Sequence, residues 1–187
     1  MSGKNSRADW AHGPIRPAPH GIRRSERNSI MKTVIVCTSV SHGNTKRVAD
    51  AMGQVLQARV VAPEQVDMAE LATCDLVGFG SGIFMQNVHP QLRQFVQALP
   101  TGARRNAFVF TTSGLPALRV RPFTRPLVRL LQQRGFEVRD TFSCRGFDTS
   151  FPFRLVGGIK SGRPNGADLV AARTFAEGLR DRIGAAS

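Results

Sequence analysis

Val34-Ile35-Val36-Cys37-Thr38-Ser39-Val40-Ser41-His42-Gly43-Asn44-Thr45 is the stretch on which the reading of this chain turns. Three β-branched residues uninterrupted by charge are the pattern of a strand buried on both faces of a parallel sheet. Beyond Thr45, the apolar residues Val48, Met52, Val55 and Leu56 recur on one face of a helix. Between the two lies a turn of Ser, His, Gly, Asn and Thr. A helix opening directly after such a turn aims N–H groups and the positive end of its dipole at whatever the turn encloses. Gly43 lets backbone approach a ligand closely, and the hydroxyls supply further donors. The competing reading is an ordinary strand-to-helix turn with Asn44 or Thr45 as the helix cap.

Outward from this stretch, strand and helix patterns alternate from Met31 on. A short strand is predicted at 58–62 and a short helix at 64–71, with Pro63 acceptable in its first turn. Residues 75–80 read as a second central strand and 81–84 as the loop after it. Leu92, Phe95, Val96 and Leu99 mark a helix stopped by Pro100. A buried strand at 107–111 ends in Thr112-Ser113-Gly114, and a helix follows at 123–133 with Gly135 just past its end. Residues 136–144 alternate polar and apolar, as at a sheet edge. A Gly/Pro-rich connection, 145–164, leads to a last helix. Asn165 and Asp168 there resemble a capping box, and Leu169, Ala172, Ala176, Leu179 and Ile183 form an apolar stripe.

Five strands with helices between them predict an α/β fold, a doubly wound five-stranded parallel sheet with helices on both faces. Ligands of such sheets sit beyond the C-terminal strand ends, at the topological switch point. The loops 38–45, 80–84 and 111–114 each follow a strand, are rich in Ser, Thr and Gly, and should meet at one sheet edge.

The chain carries 26 basic residues, only four of them lysines, against 13 acidic ones, for a net charge of +13. That balance favours acidic partners, either a protein or an anionic molecule. With no basic cluster of 5–8 residues and no nucleic-acid motif, it argues against nucleic acid. Cys37, Cys74 and Cys144 are odd in number, far apart and at no metal-ligand spacing with the histidines. They fit a reducing compartment, the cytoplasm, with Cys37 as a small buried hydrophobe. No apolar run approaches the ~18 residues of a membrane span. Residues 1–30 hold three prolines, three glycines, six basic and two acidic residues and no sustained apolar period. They read as a disordered basic tail before a domain at 31–187, with Met31 as an alternative natural start.

Several familiar chemistries fail on the letters. Gly78-Phe79-Gly80-Ser81-Gly82 is followed by Ile83, so the dinucleotide fingerprint is incomplete, and no Walker-type loop occurs. Neither Ser81 nor Ser113 stands in a GxSxG elbow. His42 and His89 have no Cys or Ser partner at a readable spacing.

These residues resemble the flavodoxin-like FMN-binding proteins, over about 150 positions from Lys32 to near Ile183. The resemblance is carried by residues 39–45 with their Gly43-Asn44-Thr45 triplet, by 75–83, by 110–114 and by Gly146-Phe147-Asp148 with Gly157-Gly158 beyond. It implies FMN as cofactor. Ser39, Ser41, His42, Gly43, Asn44 and Thr45 would hold its phosphate. Ser81, Gly82, Ile83 and Phe84 would border the flavin ring, and Thr112, Ser113 and Gly114 would close the other side. Two positions depart from the family pattern. Val40 stands where a hydroxyl residue is usual, and the aromatic stackers are absent, because the chain has no Tyr and its single Trp is Trp10. Phe84 is then the nearest stacker, with His89 behind it and Phe151 and Phe153 as further candidates. Three functional readings follow: an electron carrier, an FMN-dependent NAD(P)H oxidoreductase acting on a quinone-type acceptor with 145–164 as a lid, or a flavin-less anion-binding module.

Overall fold

β1 (Thr33–Thr38) is buried at every position in the computed structural model, which describes residues 31–40, 43–84, 87–102, 104–113, 117–145 and 164–185. Its side chains alternate between two cores. Val34 and Val36 face one, while Ile35 and Cys37 face the other. A strand covered on both sides has no polar face to show, which is why residues 34–37 between its two terminal threonines are uniformly apolar.

The remaining elements are α1 (Asn44–Leu56), β2 (Arg59–Val61), a 3-10 turn (Pro63–Gln65), α2 (Met68–Ala72), β3 (Leu76–Phe84), β4 (Asn87–Val88), α3 (Pro90–Ala98), β5 (Arg105–Ser113), α4 (Ala117–Gln133), β6 (Phe136–Arg145) and α5 (Gly166–Gly184). The sheet order is β2–β1–β3–β5–β6, with every neighbour parallel, so the expected doubly wound five-stranded sheet is present. A two-residue strand, β4, folds back antiparallel on the end of β3 through Ile83–Val88 and Phe84–Asn87 pairs.

Helices cover both faces. Val48, Met52 and Leu56 of α1 and Ala172, Ala176 and Leu179 of α5 pack over Ile35, Phe108 and Phe110. Leu92 and Val96 of α3 and Leu127 and Leu131 of α4 pack over Val34, Val77 and Val109. The periodic residues of the sequence are the ones buried, so helix faces and strand alternation agree on one arrangement. In α5, Asn165 accepts from the Asp168 N–H at 3.1 Å and the Asp168 carboxylate accepts from the Asn165 N–H at 2.9 Å.

Four boundaries differ from the sequence expectation. Residues 81–84 are not a loop but the end of β3, because β4 supplies a pairing partner. The single helix expected at 64–71 is divided, since Asp67 accepts the Ala69 N–H at 2.8 Å and caps a new start. β5 extends through Ser113, held by β6 as far as Arg145. Helix α4 starts at Ala117, six residues earlier than expected and across Pro122 and Pro126.

Candidate functional site

The strand order reverses between β1 and β3: the chain leaves β1 for β2 on one side, then returns to place β3 on the other. That crevice is where an open α/β sheet binds ligands. Cross-strand register fixes what meets there. Thr38 stands beside Ser81, Ser81 beside Thr111, and Gly82 beside Thr112. The three hydroxyl-rich segments of the sequence therefore end side by side, directly in front of α1.

One face of β3 is a stripe of glycines, and its partners on β5 explain it. Gly78 pairs with Phe108, Gly80 with Phe110 and Gly82 with Thr112. A Cβ on Gly78 would lie 2.5 Å from the Phe108 ring, and one on Gly80 would lie 2.0 Å from the Phe110 ring. Those glycines are needed because aromatic rings lie across them. At Gly82 the ring is replaced by a threonine, and among the described residues a Cβ would meet the Thr45 hydroxyl at 3.5 Å and the Thr112 hydroxyl at 4.0 Å. The result, among the described residues, is a floor bounded by hydroxyls at the end of the sheet.

The first turn of α1 forms the wall of this site. Gly43 is its N-cap residue with φ 67°, a left-handed conformation that suits glycine, and it makes no side-chain cap. Asn44 and Thr45 are therefore the first helical residues and not the N-cap residue; both are buried, and Ser39 Oγ accepts the Lys46 N–H at 3.3 Å. Thr45 Oγ1 lies 2.8 Å from Thr112 Oγ1, a buried hydroxyl pair joining α1 to β5.

Other side chains have local duties. Ser81 Oγ donates to the Gly82 carbonyl at 2.7 Å and accepts the His89 N–H at 2.9 Å, so this hydroxyl shapes the β3–β4 excursion. Nδ1 of His89 accepts the Gln91 N–H and caps α3. Ile83 is half-buried against the α3/α4 core, and Ser113 is buried at the end of β5. Phe84 ends β3. Ser41, His42 and Gly114 lie outside the described residues, as do Phe151, Phe153 and residues 146–163 of the connection.

Two features escaped the sequence reading. Thr38 Oγ1 is buried with no hydrogen-bond partner among the described residues, at the C-terminal end of β1. A cleft of about 230 Å³ opens on the β2 side of the same strand end, lined in part by Thr38, Ser39, Lys46, Gln65 and Gln91. The sequence places Thr38 in a loop at that edge; the structure makes it the last residue of β1. Cys37 is removed from chemistry, since burial pushes its thiol up to about 12 and the nearby Asp50 carboxylate adds to the effect. Among the described residues no cluster could hold a metal ion, and no helix is long and apolar enough to cross a membrane.

A phosphate monoester fits this donor set. It needs N–H and hydroxyl donors around a point where backbone can approach; the first turn of α1, Ser39 and Thr45 supply the donors, and the floor at Gly82 leaves the approach open.

Comparison with known proteins gives the same architecture. Residues 35–133 match the model of the flavodoxin domain. An uncharacterised protein of Methanocaldococcus jannaschii is 32% identical over 149 residues, 80% of this chain and 98% of its own length. A flavodoxin from the domain Archaea superimposes with TM-score 0.60 at 18% identity, over 82% of this chain and 99% of that one. A WrbA-like flavodoxin of Agrobacterium tumefaciens gives TM-score 0.59 at 20% identity, over 82% and 97%.

Proposed function

The chain belongs to the flavodoxin domain family, and from that premise we propose that it is a redox protein that binds FMN and passes electrons through it. The observation that carries this is the convergence of the α1 N-terminus, the Thr45–Thr112 pair and the open floor at Gly82 at the switch point. Bound there, the flavin would supply the redox chemistry, exchanging electrons with a donor and an acceptor. The residues of the chain bind and orient it. The phosphate falls to Ser39, Thr45 and the N–H groups of the turn. The resemblance assigns Ile83, Phe84, Ser113 and Gly114 to the ring and adds Ser41 and His42 to the phosphate set.

Two further parts of the reading concern surroundings. Helix α4 carries Arg119, Arg121, Arg125 and Arg129 and no acidic residue, and it starts four residues after β5 ends at the site. Arg125 and Arg129 are exposed. This supports an acidic redox partner protein or an anionic acceptor. Cys37 and Cys74 are free thiols and all three cysteines, Cys144 included, are buried, which supports the cytoplasm.

The test is thermal. With ligand at ~100 times its dissociation constant, linkage adds roughly 2.7 kcal/mol, and a domain of this size gains about 2–4 °C per kcal/mol. FMN should raise the melting temperature by about 5–11 °C, and riboflavin by less. Equal shifts would remove the phosphate-centred site. No shift with either, and no flavin released on denaturation, would leave a flavin-less anion-binding module. Rapid reduction of the bound flavin by NADH or NADPH alone would favour an oxidoreductase acting on a quinone-type acceptor over a carrier.

A further inference from the structure

We infer that Thr112 is a positioning residue for the cofactor's phosphate, acting through Thr45 and not at the flavin ring; the inference rests on the FMN reading above. By resemblance alone, Thr112 belongs with the segment that closes the ring. Geometry points it to the other end of the ligand.

Three observations carry this. First, Thr112 occupies the β5 position that Phe108 and Phe110 occupy opposite the two preceding glycines of β3. A third ring there would lie over Gly82 and fill the floor, whereas threonine leaves the floor open and puts a hydroxyl at its rim. Second, that hydroxyl does not point to solvent. It lies 2.8 Å from Thr45 Oγ1, and the two residues are 5% and 3% exposed. Third, Thr45 is the second residue of α1, at the positive end of the helix.

Hydroxyl chemistry then sets a polarity. Each hydroxyl has one hydrogen and two lone pairs, and a phosphate dianion can only accept. When the anion sits before α1, Thr45 directs its single hydrogen to the phosphate. Its oxygen then needs a donor, and among the described residues Thr112 is the one placed to give it. The chain Thr112 O–H to Thr45 O–H to phosphate runs in one direction, and each bond polarises the next. Thr112 thereby orients Thr45 and strengthens its donation without touching the ligand. A purely structural pair would satisfy two buried hydroxyls and treat FMN and riboflavin alike.

The experiment compares FMN and riboflavin binding, followed by flavin fluorescence, for wild type, Thr112→Val and Thr112→Ser. Val keeps the β-branched shape and removes the hydroxyl. Losing one such hydrogen bond should weaken FMN roughly 3- to 10-fold and riboflavin less than about twofold. Thr112→Ser should bind FMN within about twofold of wild type. If Thr112→Val does not fold, Thr112→Ala makes the same comparison. The inference is overturned if the hydroxyl-free variant binds FMN as wild type does, or if FMN and riboflavin weaken together. A wild type that binds no FMN overturns the functional reading as well; one that binds FMN while the variant is indifferent overturns this inference alone.

Discussion

At the scale of single residues, the glycine stripe of β3 separates packing from binding. Gly80 and Gly82 look alike in the sequence, two letters apart in Gly78-Phe79-Gly80-Ser81-Gly82. Their surroundings differ. A methyl on Gly80 would lie 2.0 Å from the Phe110 ring, which is fully buried, while one on Gly82 would sit at ordinary contact distance from two hydroxyls. Gly80→Ala should therefore cost about 1–3 kcal/mol by overpacking. Gly82→Ala should leave the apoprotein within roughly 0.5 kcal/mol of wild type, yet weaken FMN, because its methyl stands on the floor of the site. Urea unfolding of both apo variants and an FMN titration of Gly82→Ala check the pair. Equal destabilisation, or unchanged FMN affinity in Gly82→Ala, would contradict this account. Gly43 makes a poorer probe. No described residue lies near its missing Cβ, but its positive φ would strain any side chain in the apoprotein as well.

At the scale of elements, local chemistry was legible where it was local. The Asn165…Asp168 pair is four residues long and makes both of its reciprocal bonds. Asn165→Ala should cost about 1 kcal/mol, and a lowered urea midpoint with unchanged slope would show it. An unchanged midpoint would mean that α5 is held by its packing on α1 and the sheet without help from the cap. Element ends were harder to read. β3 runs on through 81–84 because Val88 and Asn87 come back to pair with it, and no feature of 81–84 announces that return. Helix α4 is likewise masked by its prolines. Pro122 punctuates the sequence as a stop, whereas the helix runs through it from Ala117 into the turns, expected from 123 on, that bury Leu127 and Leu131 in the core. Tertiary contact overrode propensity in both cases.

At the scale of the whole molecule, charge makes the sharpest statement. The net charge is +13, and without residues 1–30 there remain 20 basic and 11 acidic residues. If that excess steers an anionic acceptor toward the site, reoxidation of the reduced protein by ferricyanide should slow as salt rises. The screening length falls from roughly 10 Å at 0.1 M to 3 Å at 1 M. Reversing Arg125 and Arg129 to Glu should lower the low-salt rate and flatten the salt dependence, while deleting the tail should preserve it. A rate indifferent to salt and to reversal would leave the arginines as solvated surface.

The sequence by itself determined the fold class, the parallel sheet, the helix faces and the hydroxyl-rich turn before α1. Each of these rests on periodicity, β-branching or turn chemistry within a few neighbouring residues. It could also place three loops at one sheet edge, because strand direction in a parallel sheet sends every C-terminal end the same way. Only the tertiary structure decided which atoms meet there. That Thr45 bonds Thr112 across 67 positions, that Ser81 is taken by His89, and that Gly82 faces open floor while Gly80 faces a ring are matters of register. Register is set by packing two cores against one sheet, and a shift of one residue would send each of these side chains to the opposite face.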